Sequence, residues 1–197
     1  MKLFAHRELV HAARGHYAQP HRGYHNAEHL DELIALARQH APDLDDAEQL
    51  AILFHDAVYV PGAPRGDNER LSAKLMIATV ATLQREDTLA IGPADIARAG
   101  RIIEATLHAA PPPDEAARVC DLDLWRLAAP WDEFQRHALG IRHEYLHLHT
   151  SEAAFWKARH AFYESMLAKP ALFATPYFRE RFDAAARYNM QRALGER

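Results

Sequence analysis

A chain of 197 residues, 49% hydrophobic and 25% charged, has the size and composition of one globular domain with a real core, not of a disordered segment. Its formal net charge of −4 carries no run of Lys or Arg, so neither nucleic acid nor a membrane surface is an expected partner. No apolar run reaches membrane-spanning length, the opening Met1-Lys2-Leu3 lacks the pattern of a signal peptide, and a lone Cys120 excludes an intrachain disulfide, so a cytoplasmic protein is expected.

Helix signals dominate the chain. Residues 3–17 read as a first helix, followed by a loop containing Pro20 and Gly23. Asn26 is placed to cap a second helix running to about Gln39, and Pro42 ends that region. Asp45 with Glu48 three residues later has the form of a capping box and opens a third helix to about Val58. A loop holding Pro61, Gly62, Pro64 and Gly66 leads to a fourth helix, capped by Asp67 or Asn68 and reaching about Leu83. A fifth spans about Pro93 to His108, and Pro111-Pro112-Pro113 closes it. A short helix is predicted over Asp121–Ala128, and longer ones over 131–148, 152–168 and 176–194. No alternating strand, repeat or linker is present, so residues 1–197 are expected to form one all-α domain. Trp125, Trp131, Phe134, Phe155 and Trp156 fall at helical spacings and are assigned to the core.

The third helix is apolar on nearly every face, through Ala47, Leu50, Ala51, Ile52, Leu53, Phe54, Ala57 and Val58, yet it contains His55 and Asp56. An ionisable pair buried without partners costs several kcal/mol, on the order of the stability of a whole domain. A bound metal ion removes that cost and calls for these residue types. If the second and third helices pair antiparallel across their short loop, His29 and His55 lie at matching distances from it and come level. His25, four residues before His29, shares its helix face. A further ligand is needed from later in the chain, and either Asp121 or Asp123, set among Val119, Leu122, Leu124 and Trp125, can supply it. The chain's 14 histidines suit metal or phosphate chemistry, although most are expected to lie on the surface.

The order His, His-Asp, Asp on helices resembles the HD superfamily. The wording Arg22-Gly23-Tyr24-His25-Asn26 with His29, then Phe54-His55-Asp56-Ala57-Val58-Tyr59, then Asp67-Asn68-Glu69 with Ser72-Ala73, is similar to a small bacterial group of HD-type predicted metal-dependent phosphohydrolases. Ile141-Arg142, Glu144-Tyr145, His147, Ala186-Arg187 and Asn189 extend the likeness over almost the whole chain. Tyr-His-Asn-x-x-His also occurs in class I cyclic-nucleotide phosphodiesterases, although the His-Pro-Gly that those enzymes carry after His-Asp is missing here. The resemblance implies a compact HD-type helical fold that hydrolyses a phosphate mono- or diester of a small molecule, a nucleotide among the candidates. It implies His29, His55, Asp56 and Asp123 as ligands of one divalent transition metal (Mn, Fe, Co, Ni or Zn, with Mg admissible), the Asp-x-Asp-Leu wording favouring Asp123 over Asp121. By the same likeness His25 is the general acid.

Around that centre, Glu69 is a candidate for orienting the attacking water, with a favourable helix N-terminal charge as the alternative. Arg22, His108 and Arg142 are candidates for holding substrate phosphate, against structural ion pairing for the arginines and a helix C-terminal cation for His108. Two rival motifs are present. His143-Glu144-Tyr145-Leu146-His147 spells the zinc-peptidase pattern H-E-x-x-H, and His25-Asn26-Ala27-Glu28-His29 spells its inverse. The first follows a charged Arg142 and lacks the usual continuation, and the second gives His55-Asp56 nothing to do. His143 is therefore expected to be exposed, with Glu144 and His147 bracing helices or lining the rim of a pocket. A domain that keeps the pocket to sense a nucleotide or bind a partner, without turnover, is the other class of function.

Overall fold

The computed structural model describes residues 2–195; Met1, Glu196 and Arg197, which belong to the expected domain span, lie outside the described residues. Nine α-helices and no strand are found among the described residues: α1 (Arg7–Gly15), α2 (Ala27–His40), α3 (Asp46–Phe54), α4 (Asp67–Arg85), α5 (Pro93–Ala105), α6 (Ala117–Leu124), α7 (Trp131–Tyr145), α8 (Glu152–Leu167) and α9 (Pro176–Gly195). The all-α expectation holds. No helix of the described residues is long and apolar enough to cross a membrane.

Helix α3 is the axis of the molecule. Its capping box forms as the sequence implies, with Asp45 accepting from the backbone of Ala47 and Glu48 while the Glu48 carboxylate accepts from the Asp45 backbone. Every residue from Ala47 to Phe54 is buried, because α1, α2, α4, α5 and α6 surround it. Its two buried polar residues are satisfied. Glu48 receives a fork of bonds from Arg118 of α6, and Gln49 joins the Leu3 amide to the Leu44 carbonyl. The helix stops at Phe54, four residues earlier than expected. His55 is its C-terminal cap, and Asp56 stands in the turn that follows, so the pair sits at the end of the buried helix instead of within it.

Other boundaries shift for local reasons. The first predicted helix splits at His6, whose ring accepts from the Leu9 amide and caps α1, leaving a 3-10 turn at Leu3–Ala5. Helix α4 starts after Gly66, whose φ of +83° suits glycine; Asn68, expected as a cap, instead makes a two-way bridge to the backbone of Val60. Helix α5 ends at Ala105, three residues before His108, and α6 begins at Ala117, four residues before Asp121. Of the five aromatic residues assigned to the core, Phe134 and Phe155 are fully buried, Trp125 and Trp131 are partly buried against it, and Trp156 is half-buried beside a surface groove.

The two aspartates of α6 point to opposite tasks. Asp121 accepts from the Ala174 amide at 2.6 Å and the Thr175 amide at 2.8 Å, and from the Thr175 hydroxyl at 2.6 Å, pinning the segment that opens α9. Burial raises its pKa against the opposing effect of these donors. Removing it leaves buried donors unpaired. Asp121→Ala is expected to lower unfolding free energy by about 1–3 kcal/mol, read as a shift of the denaturant midpoint with unchanged slope.

Candidate metal centre and adjoining cleft

Asn26 caps α2 by accepting from the amides of Glu28 and His29, which sets the first turn so that His29 faces inward and is fully buried. Leu30, Leu33, Ile34 and Ala37 continue that face into the core. Helix α3 delivers His55 and Asp56 at its end, and α6 delivers Asp123 at the last turn before a 3-10 segment, Trp125–Ala128. One ligand atom from each of His29, His55, Asp56 and Asp123 lies within 4.8 Å of all the others, and this is the one such group found among the described residues.

The distances suit a shared ion. The two Nε2 atoms are 3.2 Å apart; Asp56 Oδ2 is 3.0 Å from His55 Nε2 and 3.6 Å from His29 Nε2; Asp123 Oδ1 is 3.5 and 3.7 Å from His29 and His55. Ligands about 2.1 Å from a common centre are separated by about 3.0–3.4 Å in octahedral or tetrahedral arrangement. The His55 Nδ1–H donates to the Ile52 carbonyl at 3.0 Å, which leaves Nε2 with its lone pair toward the group. The residues can hold a metal ion, and nothing in the donor set singles out which one.

Protons and carboxylates are strongly coupled here. Burial opposes a charge on His55, but Asp56 and, behind it, Asp123 outweigh burial and push its pKa up to about 9. Burial works against the carboxylate form of Asp56 and Asp123 too; neighbouring histidines overcome it and hold both acids well below the usual carboxylate range.

A second layer of bonds fixes this arrangement. Arg22, buried, donates to the carbonyls of His25, Asp56 and Ala57 at 2.9, 2.6 and 3.0 Å, and to the Gln19 side chain at 2.7 Å. It is thus a strut between the α2 entry and the His-Asp turn, with four of its five N–H donors engaged by the protein, and it does not line the cleft described below. The buried Tyr17 hydroxyl accepts from the Asp56 amide, and Ser72 of α4 both accepts from the Val58 amide and donates to its carbonyl. Arg142 pairs with Glu152 at the surface and does not line the cleft described below.

His25 does not enter the group of four. Its ring lies flat on Tyr59, with centroids 3.7 Å apart, and its Nδ1–H donates to Glu144 at 2.7 Å. The other Glu144 oxygen accepts from the amides of Tyr24 and His25, each at 2.8 Å. Glu144 is buried; that burial disfavours its charge, but these donors outweigh it and lower its pKa. The contact is possible because α7 crosses the loop at two facing glycines. A Cβ on Gly140 would stand 2.5 Å from the Gly23 carbonyl oxygen, and one on Gly23 2.6 Å from that of Gly140. His143 and His147 are exposed, so the H-E-x-x-H residues do not converge. Glu28 is exposed as well, and the inverted motif contributes only His29.

His108 and Glu69 complete the surroundings. His108 adopts the left-handed region (φ +52°), strained for a residue with a side chain, and its Nε2 is 2.8 Å from the second oxygen of Asp123. Glu69, in the first turn of α4, is half-buried; burial foremost, then the charges of Asp56 and Asp123, raises its pKa.

Beside the group opens a cleft of about 370 Å3. His25, His108 and Asp123 line one end, together with Tyr59 and Tyr145, whose hydroxyls are 2.5 Å apart. Arg126, His137 and Arg159, which sequence reading did not single out, and Tyr145, to which it gave no role, also line it; none belongs to a ligand pattern. The chain matches no protein-family model, no curated protein and no solved structure.

Because His55 must shed its proton to present Nε2, protons compete with metal. Its pKa of about 9 means that the competitor is bound at neutral pH and leaves as pH rises through 9. Divalent metal affinity is expected to strengthen about tenfold per pH unit from pH 6 to 8, with about one proton released per ion. Calorimetry in buffers of different ionisation enthalpy measures both.

Proposed function

We propose that this chain is an HD-type, metal-dependent phosphohydrolase acting on a phosphate ester of a small molecule. The observation that carries the reading is the convergence of His29, His55, Asp56 and Asp123 beside a cleft of small-molecule size that Asp123 lines. A divalent cation held there, when bound, neutralises phosphoryl charge and acidifies an attacking water.

The chain's own residues supply the rest. Glu144 fixes the His25 tautomer with Nδ1 protonated, leaving Nε2 as the nitrogen that exchanges a proton with the ester's leaving oxygen. Tyr59, stacked on the ring, prevents it from turning away. Glu69, with its raised pKa and its place near Asp56 and Asp123, is suited to orienting or deprotonating water. His108 orients Asp123 through its second carboxylate oxygen. Arg22 supports the site as a strut.

Elemental analysis and phosphate release on a panel of mono- and diesters, with several metals, test this. Asp56→Ala is expected to abolish stoichiometric metal, and His25→Ala to retain metal while turnover falls at least about 100-fold. Metal retained in Asp56→Ala removes the HD reading. Metal lost in His25→Ala makes that histidine a ligand, and metal without turnover on any ester leaves a binding domain.

A further inference from the structure

The cleft has polar lining residues that the proposed hydrolysis does not use. His137 of α7 is 8% exposed and lines the cleft, and its Nδ1 is buried with no hydrogen-bond partner. A buried ring nitrogen left unpaired is costly and uncommon in a folded protein. Nearby, Arg159 of α8 also lines the cleft. Its Nε donates to the Tyr163 hydroxyl at 3.0 Å, and its guanidinium lies 4.7 and 4.8 Å from the ring centres of Phe162 and Tyr163. That leaves its two terminal nitrogens with no acceptor among the described residues. The fork is oriented in advance by the hydroxyl and the two rings, a state in which Arg receives a planar anion well.

Charge on the cleft wall points the same way. Asp123 is the sole acidic residue of the lining, and it is engaged by His108 and by the metal group. Of the two lining arginines, Arg126 is paired with Glu32 and lies over Tyr24. Arg159 has no carboxylate partner among the described residues. Leu127, Phe134, Ile141 and Phe155 give the cleft an apolar wall. Burial and the charges of Arg126 and Arg136 lower the His137 pKa to about 3.

We infer that Arg159 and His137 form a subsite for a second anionic group, so that the substrate is a small phosphate ester whose apolar or aromatic body ends in a carboxylate or a second phosphate. The inference rests on the phosphohydrolase reading for the identity of the first group. It adds the requirement for a second charge on the same molecule, and Arg159 and His137 as the residues that select it.

The test compares phenylphosphonate with its 3- and 4-carboxy derivatives, which bind without turning over. They are titrated calorimetrically into the purified protein supplemented with Mn2+. At least one carboxy derivative is expected to bind about tenfold or more tightly than phenylphosphonate, and that preference is expected to disappear in Arg159→Gln and to shrink in His137→Phe, which keeps a ring but no nitrogen. Arg159 is half-exposed, so its variant is expected to fold and decides alone if the His137 variant does not. Equal binding of the three compounds, no binding of any, or a preference that survives Arg159→Gln overturns the subsite. The corresponding phenyl phosphates, assayed in parallel, separate the two readings: preference without hydrolysis keeps the subsite and removes the hydrolase, while hydrolysis without preference does the reverse.

Discussion

Two imidazole nitrogens 3.2 Å apart, faced by two carboxylates inside a helical core, set a charge problem that the surrounding structure has to solve. Asp56 and Asp123 together carry two negative charges. A protonated His55 offsets one of them. A divalent cation with both histidines neutral brings the sum to zero and satisfies both nitrogens at once. The His108 contact to the free oxygen of Asp123 has the same sense, drawing negative charge outward.

Holding four ligands to this tolerance requires rigid backbone at points that are not helical. The His-Asp pair stands in a turn, where no intrahelical ladder defines it, and the bonds that define it come from other elements: Tyr17 to the Asp56 amide, Arg22 to the Asp56 and Ala57 carbonyls, Ser72 to both polar groups of Val58. Arg22 spans two segments at once because its planar fork offers several fixed donors; a lysine, with one rotating ammonium, cannot bind the same set. Its place inside the protein follows from those carbonyls, which would otherwise be buried without donors.

How far the sequence reveals this depends on the range of the interactions. Caps at Asn26 and Asp45 are decided within four residues, and both form. The four candidate ligands come together as the helix pattern and the resemblance imply, and Asp121 separates from Asp123 because the first answers to amides of a segment more than fifty residues away. The His25–Glu144 pair is invisible to spacing. It depends on two glycines that meet only in the fold, and either glycine alone reads as a loop residue or a weak point in a helix. Arg22 and Arg142 share one chemistry on paper; burial beside carbonyls and exposure beside Glu152 part them. The end of α3 was also beyond a pattern reading, since Ala57 and Val58 are apolar enough to continue a helix that in fact stops at Phe54.

The same reasoning explains why a literal H-E-x-x-H occurs here without converging ligands. In a helix, residues four apart share a face, so the motif forms a metal site only where that face is turned toward a closed, partly buried space. Here α7 ends at Tyr145, so His147 falls in the following 3-10 turn; His143 and His147 are exposed, and Glu144 alone turns in, where the Tyr24 and His25 amides and the His25 ring meet it. A carboxylate so engaged has no free oxygen with which to act as the base of a peptidase. What it does have is a fixed geometry against His25 and a charge stabilised by three donors, which suits a group that orients a histidine in a cleft with largely apolar walls.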